Sequence, residues 1–293
     1  MKEDAGALHR SVVLMSDREG DDLGDAIQSK AIKNLLSPLG VRFAYCPKYG
    51  INDYSGDPAF VVMNGEFSRG RMGCTWGELM RSTPLLKRVW FGFSINPSDY
   101  GTFVSEGGVE CLRGEGTIGV RDSRTASFLI GEGVDAVVTG CASMLGYRST
   151  VPRAASCAVG VDVSDGELEA GMMSFGLRGN GIRKVNLTHS GKLLGESWED
   201  IENSAETVVV GLLNDAAVVV SGRVHAILPL LGSDVPIVFS EAPDGSVASG
   251  AEFCYMASVR ASHLVRRAIC GMSRSLFRVM VEDVVAKEGP VSL

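Results

Sequence analysis

None of the seven cysteines, at 46, 74, 111, 141, 157, 254 and 270, belongs to a CxxC pair. A zinc site or disulfide framework is therefore unsupported, and free thiols in a reducing compartment are expected. There is no GxxxxGK[ST] element, and the Gly-rich run GEGTIG (114–119) precedes a strand rather than following one, so it is no dinucleotide fingerprint. Apolar runs long enough to span a bilayer are missing as well, because the best candidates are broken by Arg223, His225, Ser233 and Asp234. The opening MKEDAGALHR lacks the apolar centre of a signal peptide. A cytoplasmic location is expected. Basic excess is lacking too: 28 Lys and Arg face 35 Asp and Glu, a net charge of −7. Such a chain has no general attraction for nucleic acid or an anionic membrane, so any anion must be held by local groups.

What is present is an alternation of short β-branched runs with helical spacing. SVVLM (11–15), VRFAY (41–45), FVVMN (60–64), RVWFGFS (88–94), TIGV (117–120) and AVVT (136–139) read as strands in the first half. Between them, 22–40 and 122–133 read as helices, the first ending at Pro38 and Gly40, the second capped by Asp122 or Ser123. The second half repeats the plan with strands at 157–163, 184–189, 217–221 and 235–240. Helices are expected across 198–212, 223–231 and 261–287. Stretches 96–116 and 241–260 read as loops. Strands apolar on both faces, alternating with helices, imply an α/β protein of parallel sheets covered by helices. The turn-rich stretch GYRSTVPRAAS (146–156) is taken as the junction of two Rossmann-like domains, 1–150 and 151–293.

Chemistry concentrates where strands end. AVVVSGRVHAILPLLG (217–232) places Arg223 and His225 just past a buried strand, at the start of a helix. In open α/β sheets ligands collect at the carboxyl ends of strands, where helix N-termini favour anions. Arg223 offers a planar fork of donors, and His225 can exchange a proton near neutral pH. Pro229 lacks an N–H, so the His225 carbonyl loses its helical partner and the helix should bend. Arg121 in GVRDSRTASFL repeats the pattern in the first half. The structural alternative for both arginines is a salt bridge to a nearby carboxylate, with His225 simply packed.

Taken together, NDAAVVVSGRVHAILPLLGSDVPIVF (214–239), GVRDSRTASFLIGEGVDAVVTGCAS (119–143), DREGDDLGDAIQSKAIKNLL (17–36), VVMNGEF (61–67) and KVNLTHSG (184–191) resemble, in order, the motifs of the polysaccharide pyruvyl transferase family. The Arg-Val-His triplet stands where that family has Arg-Leu-His, and Ala142 stands where it has proline. The resemblance implies a fold similar to two-domain B-type glycosyltransferases. It also implies transfer of the enolpyruvyl group of phosphoenolpyruvate onto two hydroxyls of a sugar to form a pyruvate ketal. No cofactor or metal is implied; the partners are phosphoenolpyruvate and a glycan acceptor, and an oligomer is possible. By the resemblance, Arg121, Arg223, Val224, His225, His189 and Asn64 contact substrate, with Asn64 and Gly65 at a strand end facing the acceptor. His225 is the candidate acid, or a phosphate ligand if geometry forbids that role. Asp25, Asp17 or His189 is the candidate base, though Asp25 could equally serve the helix dipole.

Two rival readings remain: a glycosyltransferase with a nucleotide-sugar donor, and a catalytically silent glycan-binding relative. The silent relative would have its arginines paired internally with Asp122 or Glu241.

Overall fold

The structure is a computed structural model that describes residues 11–16, 23–81, 83, 85–149, 151–177, 181–187, 197–240 and 263–286. The protein is α/β, with two parallel sheets. The first contains β1 (Ser11–Ser16), β2 (Arg42–Pro47), β3 (Ala59–Phe67), β4 (Leu86–Ile95), β5 (Ile118–Val120) and β6 (Ala136–Val138), in the order β2-β1-β3-β4-β5-β6. The second contains β7 (Cys157–Val161), β8 (Gly181–Val185), β9 (Ala216–Ser221) and β10 (Ile237–Phe239), ordered β10-β9-β7-β8.

Helix α1 (Gly24–Leu36) follows β1. Short helices α2 (Trp76–Met80), α3 (Tyr100–Ser105), α4 (Gly108–Leu112) and α5 (Ser123–Gly131) complete the first half. Two of these, α3 and α4, fall in the stretch 96–116 that reads as a loop, since elements of five or six residues carry too little periodicity to show. The second half adds α6 (Asp165–Ser174), α7 (Trp198–Asp215), α8 (Val224–Ile227) and α9 (His263–Ala286).

Strand alternation sorts the core. Val13, Met15, Val61, Met63, Trp90 and Phe93 face one side of the large sheet, with Trp76 and Phe103 from α2 and α3. Val12, Leu14, Val62, Val89 and Phe91 face the other, joining a core that continues through α1 and α7 to Val159, Val161 and Val219 of the small sheet. One apolar core thus spans both sheets. Helix α9 straps them together. At its start the buried Arg266 guanidinium donates to the carbonyls of Leu230, Leu231, Ser233 and Val235. Further along, Phe277 packs edge-on against Phe91 of β4 at 4.9 Å between ring centroids.

Three further expectations shift. The helix over 223–231 is a single turn, α8, followed by a tighter turn over Leu228–Leu230. Pro229 cannot donate to the His225 carbonyl, which ends the α-helical ladder there. The strand expected over 184–189 begins earlier, at Gly181. It is an edge strand with Ile182 62% exposed, so its apolar pattern is weak. Strand β3 runs on to Phe67, which puts Asn64 and Gly65 inside the strand rather than at its end.

Candidate functional site

The placement of Asn64 follows from its neighbour strand. Met63 pairs with Trp90 and Gly65 with Phe93, so Asn64 faces two residues of β4, Phe91 and Gly92. This is a β-bulge, with Gly92 at φ +76. A Cβ on Gly92 would clash with Asn64 Oδ1, so a glycine there leaves room for the asparagine to turn into the seam between the sheets. Gly65, at φ +100, does the same beside Gln28, Lys48 and Asp25.

A relay of amides starts from that asparagine. The backbone N–H of Ala142 donates to Asn64 Oδ1 at 3.4 Å, which fixes the amide's orientation. Asn64 Nδ2 then donates to Gln28 Oε1 at 2.7 Å. The Gln28 amide nitrogen therefore faces outward, toward Asp25 Oδ1 at 3.2 Å, the Gly24 carbonyl at 3.3 Å and His225 Nε2 at 3.2 Å. Since Gln28 supplies the hydrogen, Nε2 must accept it and the neutral imidazole carries its proton on Nδ1. That Nδ1 is buried and has no hydrogen-bond partner among the described residues. It is an orphaned donor.

Charge closes around the ring. Lys48, 4% exposed at the end of β2, donates to Asp25 at 3.3 Å and lies 4.9 Å above the Phe67 ring. Arg121, also 4% exposed, follows β5 and pairs with Glu66 Oε2 at 3.1 Å. Arg223, at the N-cap of α8, donates from Nε to Asp162 Oδ2 at 3.1 Å. Asp162 itself sits in the left-handed region, at φ 50, just past β7. Part of the His225 residue surface stays open, yet its ring nitrogen is sealed. Burial first, then the Arg121 guanidinium, with Lys48 and Arg223 behind it, pushes its pKa down to about 3 against the pull of Asp25. The ring is neutral at neutral pH.

Cys141 lies against the same amides, its thiol 3.6 Å from Gln28 Oε1 and 3.8 Å from Asn64 Oδ1, and burial pushes its pKa up. A void bordered by Asp25, Gln28, Lys48 and Asn64 measures about 10 Å³, room for about one water. Among the described residues no three of His, Cys, Asp and Glu converge as metal ligands.

Asp25, Asn64 and His225 thus meet through Gln28, with Arg121 acting on the same ring. The side chain of Val224 does not join them: it is 6% exposed and belongs to the apolar core. His189 and Asp17 lie outside the described residues. The arginines carry carboxylates, as the structural alternative foresaw: Glu66 on Arg121 and Asp162 on Arg223. Asp122 caps α5, accepting from the Thr125 N–H and from Ser94 Oγ, and Glu241 lies outside the described residues.

Gln28, Lys48, Glu66, Cys141 and Asp162 were not singled out from sequence. The one signal was Gln28 itself, a polar residue on the buried face of α1 among Ala26, Ile27, Ala31 and Ile32.

No family model matches the chain, and no curated protein does. Among solved structures, the chain is similar to a functionally uncharacterized protein from Klebsiella pneumoniae, at 12% identity and a TM-score of 0.46, over 87% of this chain and 91% of that one.

Proposed function

We propose that the seam between the sheets is an anion site, and that the protein is a pyruvyl transferase. In this reading it moves the enolpyruvyl group of phosphoenolpyruvate onto two hydroxyls of a glycan sugar. The two halves act as Rossmann-like domains in the manner of B-type glycosyltransferases, divided near residue 150. The observation that carries the anion site is that Arg121, Lys48 and Arg223 all act on one imidazole, adding their positive potential to the burial that is the first cause of its neutrality. The step from anion site to pyruvyl transfer rests on the ordered motifs.

Phosphoenolpyruvate carries a carboxylate and a phosphate on one small frame. Arg121 and Arg223 are suited to clamp the two ends by exchanging Glu66 and Asp162 for substrate oxygens. His225 enters as the neutral Nδ1–H donor rather than as an imidazolium acid, because protonating Nε2 would set two donors against each other at Gln28. It therefore takes the phosphate-ligand role. Asp25, already holding Lys48, is the candidate acceptor of a hydroxyl proton. Two C2–O bonds to the sugar form and the C2–O bond to phosphate breaks. One hydroxyl proton ends on the methylene carbon and the other on the departing phosphate.

A second reading is favoured by one observation. Both arginines are already satisfied by carboxylates, as in a catalytically silent glycan-binding relative. Incubation with phosphoenolpyruvate and a glycan library separates the two. A transferase releases phosphate only when an acceptor is present and leaves a ketal detectable by mass spectrometry. A silent relative binds glycan and releases nothing.

A further inference from the structure

The far end of α1 borders a second cavity, away from the amide relay. Here α1, α7 and α9 leave a groove of about 1110 Å³ that includes Leu36, Leu145, Val210, Phe277 and Val281. It shares Leu36, Leu39 and Val281 with an adjoining pocket of about 230 Å³ that is lined by apolar residues throughout, including Val12, Phe60, Val62 and Val89. A continuous apolar path thus leads from the groove toward the face of the large sheet. Leu39, 65% exposed, stands at its rim.

The polar end of the groove has a definite sign. Arg148, Arg274 and Arg278 border it, against one carboxylate among the described lining residues, Glu206. Glu206 is already engaged by Lys30 at 2.9 Å and Asn34 at 3.1 Å. Arg274 reaches the Leu145 carbonyl at 3.4 Å through one nitrogen, while its Nε is buried with no partner among the described residues. Burial and the neighbouring Arg148 guanidinium both hold Arg274 below the usual arginine range. Arg148 and Arg274, like charges brought together in partly dry surroundings with no carboxylate between them among the described residues, are offset by an anion that enters from outside.

We infer that this groove binds a monomeric single-chain amphiphile with a carboxylate or phosphate head. The head lies between Arg148 and Arg274, and the apolar tail runs past Leu36 and Leu39 into the adjoining pocket. The Arg148 and Arg274 guanidiniums, neither carrying a carboxylate of the described lining, select the charge, and the continuous apolar path selects the tail. The site is separate from the Arg121 and His225 cluster and does not depend on how that cluster is read.

Isothermal titration with decyl phosphate below its micelle concentration tests the inference. Saturable one-to-one binding is expected, with decyl glucoside, the same tail under a neutral head, weaker by about tenfold or more. Inorganic phosphate alone should bind far more weakly, because it forgoes the tail. The paired substitution Arg148→Gln and Arg274→Gln should weaken decyl phosphate by about tenfold or more. Leu39→Ser, at an exposed position that leaves the fold intact, should weaken it by about threefold or more. Equal affinity for the neutral amphiphile, unchanged affinity in these variants, or capture by anionic vesicles without any monomer binding would each overturn it.

Discussion

The amide nitrogen of Gln28 stands 3.2 Å from Nε2 of His225, joining residues 197 positions apart, one from each half of the chain. The contact fixes which imidazole nitrogen holds the proton, because Gln28 is itself fixed by Asn64 and Asn64 by a backbone N–H. The electronic state of His225 is therefore set by a relay that begins at the bulge in β4.

Replacing the donor by an acceptor should reverse that state. In Gln28→Glu, a carboxylate faces Nε2 and favours the imidazolium, so the His225 pKa should rise from about 3 by two units or more. Imidazole nitrogen NMR across a pH titration reads this directly. Failure to titrate above pH 4 in the variant would show that burial alone controls the ring.

The same depressed pKa makes a claim on stability. Unfolded, the histidine titrates near its ordinary value of about 6.5, so below that pH the unfolded chain takes up a proton that the native ring refuses. The stabilisation is complete above about pH 6.5 and is lost progressively toward pH 3, by up to about 1.4 kcal/mol per pH unit. Urea unfolding of the parent and His225→Gln at pH 7 and pH 5 should show a smaller acid loss in the variant.

Gly92→Ala should be costly out of proportion to its size. The left-handed backbone alone costs about 1–2 kcal/mol, and the new methyl meets Asn64 Oδ1 and the Gly140 carbonyl, the latter at 2.9 Å. A loss of about 2 kcal/mol or more in denaturant unfolding is expected. His225 should also shift its titration, since the relay begins at Asn64.

A separate polar contact ties the halves behind the site. Glu202 of α7 is fully buried, accepts from the Tyr45 hydroxyl at 2.8 Å and pairs with Lys33 at 3.5 Å. Burial pushes the Tyr45 hydroxyl up to about 12, so it stays a donor at neutral pH. Tyr45→Phe strands part of a buried carboxylate and should destabilise by about 1–3 kcal/mol, while phosphoenolpyruvate affinity stays unchanged.

Much of the scaffold was legible because buried parallel strands read as apolar runs. AVVVS becomes β9, with every residue of the strand buried. Arg121 and Arg223 were legible for the opposite reason: charge next to such a run contradicts its surroundings. Their partners were not. Glu66 lies in β3 and Asp162 just past β7, 55 and 61 positions away, and only the fold brings them near. Asn64 read as a strand end because its polarity interrupts the apolar pattern. The cause is a bulge in the neighbouring strand, carried by Gly92. Lys48 looked like an ordinary charge after VRFAYCP, since nothing local reveals that its ammonium is buried against Asp25 and Phe67.

Calorimetric titration of phosphoenolpyruvate into the parent protein and into Arg121→Lys and Arg223→Lys tests the anion site most directly. Lysine keeps the charge but not the fork, so saturable binding by the parent should weaken by about tenfold or more in each variant. Equal affinity in all three, or no binding by the parent, would mean that Glu66 and Asp162 are the permanent partners of these arginines.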